Sequence, residues 1–339
     1  MKKSNNQRWG NSLREVPWEG AVTPSEHLIS RTIKEWYDEK HRKTSQEEIS
    51  YINSLKINGC RYCDSPEFSK CGHNSLGIQR YICKSCSRKF LSLTNTIFDS
   101  KKIPLSEWIE FLMHLFEFHS ITSSSRDNRN AKSTGKYWIL KVFEVLKEIQ
   151  NDTVLNGNVY IDETYFSVIK SDTVLKDGKK LRGISKNKIG VAVGVDDDDH
   201  ILIIVEHTSK PSKKSTWAAY GSHITEGAHL IHDGDNSHQV LIDQLNLTEE
   251  IHTTKETKGL SDDDNPMNKI NRIHYFMKRF MREHGGYDRD NLQDWMNLIF
   301  FILSEPNNIY EKIDKFFELA INSPARVKFR EALCRKSSK

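Results

Sequence analysis

Short apolar runs separated by polar connections fill the second half of the chain, a pattern typical of a sheet with flanking helices. The first three runs are rich in Val and Ile and predict strands at Val159–Val168, Ile189–Val195 and Ile201–Glu206. The last two flank the acidic turn Asp196–Asp199 and therefore predict a hairpin. The pattern then predicts a helix, a strand, a helix and a strand at Ser215–Ile224, Ala228–His232, His238–Leu245 and Ile251–Thr254.

Three antiparallel strands followed by alternating helix and strand are the element order of a ribonuclease-H-like mixed sheet. A further helix is predicted at Met267–His284 and is ended by Gly285-Gly286. At about 100° per residue, four apolar residues lie on one side of the helix axis: Ile273, Phe276, Met277 and Phe280. Asn271, Lys278 and Arg282 lie within about 20° of a line on the other side. A solvated polar face is the alternative explanation of such a stripe.

Two of the predicted strands carry an aspartate at or near their ends. Asp162 lies within Val159–Thr164, and Asp233 directly follows Leu230-Ile231-His232. Two strand-borne carboxylates together with a polar helix residue, here Asn271, are the arrangement that holds divalent metal for phosphodiester chemistry.

Two pairs of cysteines lie upstream with the spacing of a structural zinc site. Cys60 and Cys63 form one CxxC turn, Cys83 and Cys86 form the other, and 19 residues separate the pairs. Four thiolates complete a tetrahedron and leave no open position, so the zinc is expected to fold the module and to perform no catalysis. A redox CxxC is the alternative, but no strand–helix context of the thioredoxin kind surrounds either pair.

Apolar residues recur at helical spacing from Leu105 to Glu117 and again from Tyr137 to Ile149. Between them, Ile121–Ser125 predicts a turn and a helix start, and Arg126–Lys136 is polar. Two helices around a polar connection suggest a helix-turn-helix-like DNA contact. A pair of helices that only pack against each other is the alternative.

The chain of 339 residues has a net charge of only +4, but its basic residues are clustered. Six Lys or Arg face one acid in Lys176–Lys188, and six face one acid in Arg326–Lys339. Such patches suit a polyanion that is touched at several places, with solvated loops as the alternative for any single patch. No apolar run approaches the roughly 18 residues of a membrane span, and no signal peptide is visible, so a cytoplasmic location and no membrane partner are expected.

Together these pieces resemble a family. From about Cys60 to Leu303 the chain is similar to bacterial insertion-sequence transposases of the DDE superfamily, in the zinc-ribbon ISXO2-like branch (insertion-sequence family fifteen-ninety-five). The matching pieces are Cys60/Cys63/Cys83/Cys86, Ile161-Asp162-Glu163-Thr164-Tyr165, Asp233-Gly234, Asn271-Arg272-Ile273-His274 with Lys278, and the block Arg289–Asn297. The third position of the acidic triad is Asn271, as in the variant of this branch that has asparagine followed by lysine seven residues later.

The resemblance implies a DNA transposase that cuts at element ends and joins the freed 3′-OH to target DNA. Asp162 and Asp233 are then expected to hold two Mg²⁺ or Mn²⁺ ions, with Asn271 completing one coordination shell. Lys278 is expected to hold a phosphate near the scissile bond. Glu163, Asp235 and His274 are the substitutes if the alignment is shifted.

The sequence therefore predicts an α+β multidomain protein. The expected domains are an N-terminal segment of unclear role (1–52), a zinc ribbon (53–100), a helical DNA-binding segment (101–150), a ribonuclease-H-like catalytic domain (151–304) and a basic C-terminal tail (305–339). The expected partners are double-stranded DNA, as terminal inverted repeats and target, and further copies of the chain, in the bacterial cytoplasm on the nucleoid. A transposase-derived DNA-binding protein without catalysis and a ribonuclease-H-like nuclease are the alternative functions.

Overall fold

The computed structural model describes residues 46–99, 103–128, 130–168, 173–206, 210–284, 289–323, 325 and 327. Most of the N-terminal segment 1–52, nearly all of the basic stretch 326–339, and Gly285-Gly286 lie outside the described residues. The chain divides into two compact units: residues 1–145 with 308–339, and residues 146–307.

Ten strands form three sheets within the described residues. The strands are β1 (Phe68–His73), β2 (Gln79–Cys83), β3 (Lys89–Leu91), β4 (Asn158–Ser167), β5 (Leu175–Lys176), β6 (Lys179–Lys180), β7 (Lys188–Asp196), β8 (Ile201–Val205), β9 (His229–His232) and β10 (Thr248–Ile251). The helices are α1 (Gln46–Ser54), α2 (Leu105–Phe116), α3 (Ile121–Asp127), α4 (Lys132–Leu146), α5 (Lys213–Tyr220), α6 (Gln239–Leu245), α7 (Thr254–Thr257), α8 (Asn268–Glu283), α9 (Leu292–Leu303) and α10 (Ile309–Asn322).

The second unit is built on a five-stranded mixed sheet of order β10-β9-β4-β7-β8. Strands β4, β7 and β8 pair antiparallel, whereas β4, β9 and β10 pair parallel. The predicted order of three antiparallel strands followed by alternating helix and strand is confirmed. The last strand begins at Thr248, three residues before the predicted start. The hydrophobic pattern missed this start because all four residues of the strand are exposed and two are glutamates. An exposed edge strand of this kind carries little hydrophobic signal.

Alternation along β4 gives the sheet two different faces. Val159 and Ile161 point to a buried core that also contains Leu230 of β9 and Tyr220 and Leu241 of α5 and α6. Helices α8 and α9 pack against β4, β7 and β8. Because successive side chains of a strand point to opposite faces, Asp162 and Glu163 lie on different sides of the sheet.

A small hairpin interrupts the path from β4 to β7. The basic patch predicted at Lys176–Lys188 includes Lys176 of β5 and all of β6, and these two strands pair antiparallel around Asp177 and Gly178. Both turn residues have positive φ, of 51° and 73°, as a two-residue hairpin turn requires. Lys176, Lys179 and Lys180 are exposed on this hairpin.

The first unit combines the antiparallel sheet β1-β2-β3 with helices α1 to α4 and α10. The rings of Phe68, Tyr81 and Phe90 pack together on the sheet. The helix predicted at Leu105–Glu117 is confirmed as α2, which ends one residue earlier. The second predicted helix begins five residues earlier than expected, at Lys132. The apolar pattern missed this start because the first turns are formed by the polar segment Lys132–Lys136.

The C-terminal segment differs from the expected basic tail 305–339, because Ile309–Asn322 forms helix α10. Its residues Ile313, Phe316, Phe317, Ala320 and Ile321 are buried at helical spacing, and the Phe317 ring stacks on Phe98 at 4.9 Å. The charge count of the tail concealed this apolar period. Among the described residues, none of the helices is long and apolar enough to cross a membrane.

Candidate functional site

Asp162 is held near the middle of the sheet, on the face that α8 covers. The backbone N–H of Glu163 donates to Asp162 Oδ1 at 2.8 Å, and the side chain keeps 28% of its surface exposed. Burial, together with the negative charges of Glu163 and Asp233, raises the pKa of Asp162 to about 7. A cation placed beside this carboxyl would relieve the repulsion.

Asp233 lies directly after β9 and beside Asp162. Tyr160 of β4 pairs with Ile231 of β9 in parallel register, and each aspartate lies two residues beyond its member of that pair. Adjacent strands lie about 4.8 Å apart, and the negative charge of Asp233 acts on Asp162, so the two carboxylates are near each other at this end of the sheet. The structure thus brings together the two carboxylates that the sequence singled out.

Gly234 makes the turn that aims Asp233. Its φ is +87°, and a Cβ at this position would lie 2.9 Å from Cγ2 of Ile251 on β10. The backbone N–H of Asp235 donates to Asp233 Oδ1 at 2.9 Å and closes the turn. A residue with a side chain at position 234 would therefore push the loop away from the sheet edge.

Helix α8 reaches Asp162 through His274. His274 Nδ1 lies 3.8 Å from Asp162 Oδ2, and burial with the nearby charge of Lys278 lowers the pKa of His274 to about 3. Asn271 lies three residues before His274 and Lys278 four residues after it, so all three share one face of α8. Asn271 and Lys278 are exposed, whereas His274 is the buried member.

A buried chain of ionisable side chains lies on the other face of the sheet. His238 Nε2 lies 3.1 Å from Glu163 Oε1, and His238 Nδ1 lies 2.9 Å from His232 Nδ1. His232 Nε2 in turn lies 3.3 Å from Glu249 Oε2 on β10. His238 is fully buried and its Nδ1 lies 4.0 Å from Asp233 Oδ1, so this series of side chains extends to Asp233 of the candidate site.

The hydrogen bonds assign the protons of the two histidines. Gly234 N–H donates to His232 Nδ1 at 3.2 Å, which makes that nitrogen an acceptor and leaves the proton on Nε2. His238 must then donate to His232, and its other nitrogen faces Glu163. Although burial opposes it, the hydrogen bond and charge of Glu163 raise the pKa of His238, whereas burial and the charge of His238 lower the pKa of His232.

Sequence reasoning missed His232 and His238 as members of the site and treated Glu163 only as a substitute ligand. The available signal was their position, since the two histidines stand one residue before and five residues after Asp233. Histidines so close to the end of a buried strand are candidates for orienting its last carboxylate. The pairing with Glu163 could not be predicted, because it depends on where α6 crosses the sheet.

The four predicted cysteines converge in the first unit. Cys60 Sγ lies 3.7 Å from Cys86 Sγ, and Cys63 Sγ lies 3.6 Å from Cys83 Sγ. Sulfurs bound to one zinc stand about 3.8 Å apart, as follows from a Zn–S bond of about 2.3 Å and tetrahedral angles. The backbone N–H of Cys86 donates to Cys83 Sγ and, with the Cys63 thiol, lowers the pKa of Cys83 to about 6. The cluster is therefore compatible with structural zinc, and Cys71 lies outside it.

Comparison with known proteins gives little further guidance. No protein-family model matches the chain, and neither does any curated protein. Among solved structures, the catalytic domain of Mos1 mariner transposase has 12% identity and a TM-score of 0.29, over 57% of this chain and 95% of that one. A pre-cleavage Mos1 transpososome and a Mos1 strand transfer complex each have 10% identity and a TM-score of 0.24, over 64% and 60% of this chain and 78% and 73% of theirs. Likenesses with TM-scores this low carry no argument about the fold or the function of this chain.

Proposed function

We propose that this protein is a DNA transposase of an insertion sequence, which cleaves DNA at element ends and transfers the strands into target DNA. The observation that carries the proposal is the pair of Asp162 on β4 and Asp233 directly after the adjacent strand β9, with His274 of α8 beside Asp162. Two neighbouring carboxylates with access to solvent are the donor set that hard divalent cations prefer.

The donor set fits magnesium or manganese. Asp162 and Asp233 offer carboxylate oxygens, and Asn271 offers an amide oxygen from the exposed part of α8. The raised pKa of Asp162 reflects burial first and then the negative charges of Glu163 and Asp233, and a bound cation would offset the repulsion from those charges. Metal bound there would supply Lewis acidity for in-line displacement at phosphorus.

The protein's own residues have separate tasks in this proposal. Lys278, exposed one turn beyond His274, attracts a DNA phosphate toward the carboxylates. His274 is neutral at physiological pH, so it places no positive charge beside Asp162. His238 and Glu163 anchor the loop of Asp233 from beneath the sheet.

Other surfaces supply affinity for DNA. The exposed lysines of the β5–β6 hairpin lie on the connection between β4, which carries Asp162, and β7. Such contacts to phosphates depend on salt and are largely independent of sequence. Recognition of the terminal repeats falls to α2–α4, and the four cysteines hold a structural zinc that stabilises the sheet beside them.

A non-catalytic DNA-binding protein derived from a transposase is the second candidate. The observation that favours it is Asn271, which supplies no charge where a third carboxylate would bind metal most strongly. This candidate predicts DNA binding without nicking or joining.

The test uses the full chain with labelled duplexes from the DNA flanking its gene, a target plasmid, and Mg²⁺ or Mn²⁺. Joined products should require metal and should vanish in Asp162→Ala. The matched control Asp262→Ala removes an exposed aspartate outside the site and should leave the products unchanged. Binding without nicking or joining in both metals would move the assignment to the non-catalytic candidate.

A further inference from the structure

A second group of metal-binding side chains lies in the first unit, away from the cysteines. His114, His119 and Asp127 each offer a ligand atom, and these atoms all lie within 4.8 Å of one another. The rings of His114 and His119 are nearly parallel, with centroids 5.0 Å apart and planes inclined by 18°. Asp127 is the last residue of α3, whereas His114 is in the last turn of α2.

The connection between α2 and α3 is folded so that the two histidines meet. Phe118 adopts a left-handed φ of 67°, which turns the chain back, and the N–H of His119 donates to the carbonyl of His114 at 2.9 Å. Ser120 then caps α3 by accepting from the N–H of Ser123. A left-handed conformation is uncommon for an aromatic residue and is retained here by the surrounding structure.

The other end of α3 is fixed as firmly, and this fixes Asp127. The fully buried Asn128 donates from Nδ2 to the carbonyl of Glu107 in the first turn of α2, at 2.8 Å. Asn130 donates to the Glu107 carboxylate at 2.7 Å. Both ends of α3 are thus tied to α2, and the backbones that carry the three side chains keep one geometry.

Among the described residues, the Asp127 carboxylate has two side-chain contacts, and both are long. Ser123 Oγ lies 3.4 Å from Oδ2, and Arg126 Nε lies 3.5 Å from Oδ1. Both distances are at the outer limit for hydrogen bonds, so neither contact commits the carboxylate. His119 is exposed and Asp127 is partly exposed, which gives an ion a way in from solvent.

We propose that His114, His119 and Asp127 form a binding site for a borderline divalent metal such as Zn²⁺, Co²⁺ or Ni²⁺. Two imidazoles and one carboxylate suit these ions, whereas Mg²⁺ prefers oxygen ligands alone. Ligand atoms on one zinc stand about 3.3 Å apart, so small side-chain rotations complete the coordination. Three protein ligands leave a fourth position for water, and the ion ties together the end of α2, the turn and the end of α3.

This site is independent of the proposed function. The cysteine cluster would ligate through sulfur and the Asp162–Asp233 pair through oxygen, and His232, Asp233 and His238 form a further candidate group with nitrogen and oxygen ligands. Thiolate ligation of Co²⁺ gives strong near-ultraviolet charge-transfer bands, which distinguish the cysteine cluster from the other groups. Nitrogen and oxygen ligation gives only weak visible bands, so variants of His119 and Asp127 assign the remaining cobalt.

The experiment adds Co²⁺ to the full chain with its cysteines already loaded with zinc, and follows visible absorption and titration calorimetry. The wild-type chain should bind one more equivalent of Co²⁺ than His119→Ala or Asp127→Asn, or should bind it at least about tenfold more tightly. Removal of an outer partner of a metal ligand already weakens metal binding by about tenfold, so removal of a ligand should weaken it at least as much. Cobalt should raise the unfolding midpoint of the wild type more than that of either variant.

The matched control is His73→Ala, which removes another exposed histidine of the same unit outside the cluster and should bind as the wild type does. Equal unfolding midpoints of all variants before cobalt is added show that each is folded. Equal cobalt stoichiometry and affinity in the wild type, His119→Ala and Asp127→Asn would overturn the proposal. Loss of the same equivalent in His73→Ala would also overturn it.

Discussion

His274 Nδ1 lies 3.8 Å from Asp162 Oδ2, and the two groups do not form an ordinary ion pair. The pKa of His274 is lowered to about 3, first by burial and then by Lys278, while the pKa of Asp162 is raised to about 7. At neutral pH the His274 ring is therefore neutral and the Asp162 carboxyl is partly protonated. His274 and Asp162 therefore gain little from mutual electrostatic attraction.

Asp162→Asn should stabilise the metal-free protein at high pH. In the folded chain the pKa of Asp162, about 7, exceeds the usual 3.8, so the stabilising contribution of the protonated carboxyl is complete below about pH 4 and is lost as pH rises from about 4 to about 7. The amide stays neutral at every pH. Relative to its difference from the wild type at pH 4, the variant should gain about 1–2 kcal/mol by pH 8, a figure that discounts the full shift for partial exposure.

Urea unfolding between pH 4 and pH 8 without divalent cations measures this difference. Asp262→Asn, on an exposed loop, is the control and should follow the wild type across the range. A difference in stability between Asp162→Asn and the wild type that does not change with pH would contradict the raised pKa of Asp162 in the folded chain.

His238→Ala should destabilise the second unit by about 3 kcal/mol. The substitution leaves Glu163 buried without its partner and removes a contact of His232, and the loss of one member of a buried charged pair is costly. His200→Ala is the control, because that ring is 59% exposed although it also contacts a buried carboxylate, Asp196. Chemical denaturation of both variants decides, and equal losses would show that burial of the chain adds nothing.

Gly234→Ala should cost more stability than Gly157→Ala. Both glycines have positive φ, of 87° and 68°, so both substitutions carry the same kind of backbone strain. Only at Gly234 would the new Cβ meet another atom, Cγ2 of Ile251 at 2.9 Å, whereas nothing lies within 4 Å at Gly157. We expect losses of about 2–3 and about 1 kcal/mol, measured by thermal or urea unfolding. A smaller loss at Gly234 would mean that β10 moves aside freely.

Cys63→Ser should weaken the first unit, and Cys71→Ser should not. Cys63 belongs to the four-sulfur cluster, whereas Cys71 lies outside it on β1. If zinc joins the four sulfurs, its loss removes binding energy that also stabilises the fold. Zinc content by atomic spectrometry should fall in Cys63→Ser alone, together with the unfolding midpoint. Equal zinc content in both variants would exclude the cluster as the zinc site.

Lys179→Gln/Lys180→Gln should lower the affinity for duplex DNA and its dependence on salt. Each phosphate contact that is lost reduces the slope of log affinity against log salt by about 0.9, so the slope should fall by up to about 2. Lys255→Gln/Lys258→Gln removes the same charge from exposed positions outside the hairpin and is the control. Fluorescence anisotropy between low and moderate salt measures both pairs, and equal slopes would remove the hairpin from the DNA-binding surface.

The strand order and the placement of Asp162 and Asp233 were predictable, because β4 and β9 carry short apolar runs, Val159–Ile161 and Leu230–Ile231, that are followed within two residues by these acids. The polar stripe of α8 was also predictable, because helical geometry alone places Asn271 and Lys278 on the same face of the helix. The polar chain through His238 was not, because Glu163 and His238 are 75 residues apart and meet only when α6 packs on β4. Helix α10 was missed for a different reason: a basic end outweighed its apolar period in the composition.

The opposite directions of Asp162 and Glu163 make the site dependent on chain length as well as on residue identity. Strand β4 pairs with β7 over nine consecutive residues, from Val159 to Ser167, and with β9 on its other edge. Deleting one residue ahead of Asp162 would turn Glu163 toward α8 and Asp162 toward His238, and would reverse every core side chain of the strand. Insertions and deletions can therefore accumulate between β4 and β7, in the connection that holds the basic hairpin, while the strand itself tolerates only substitution.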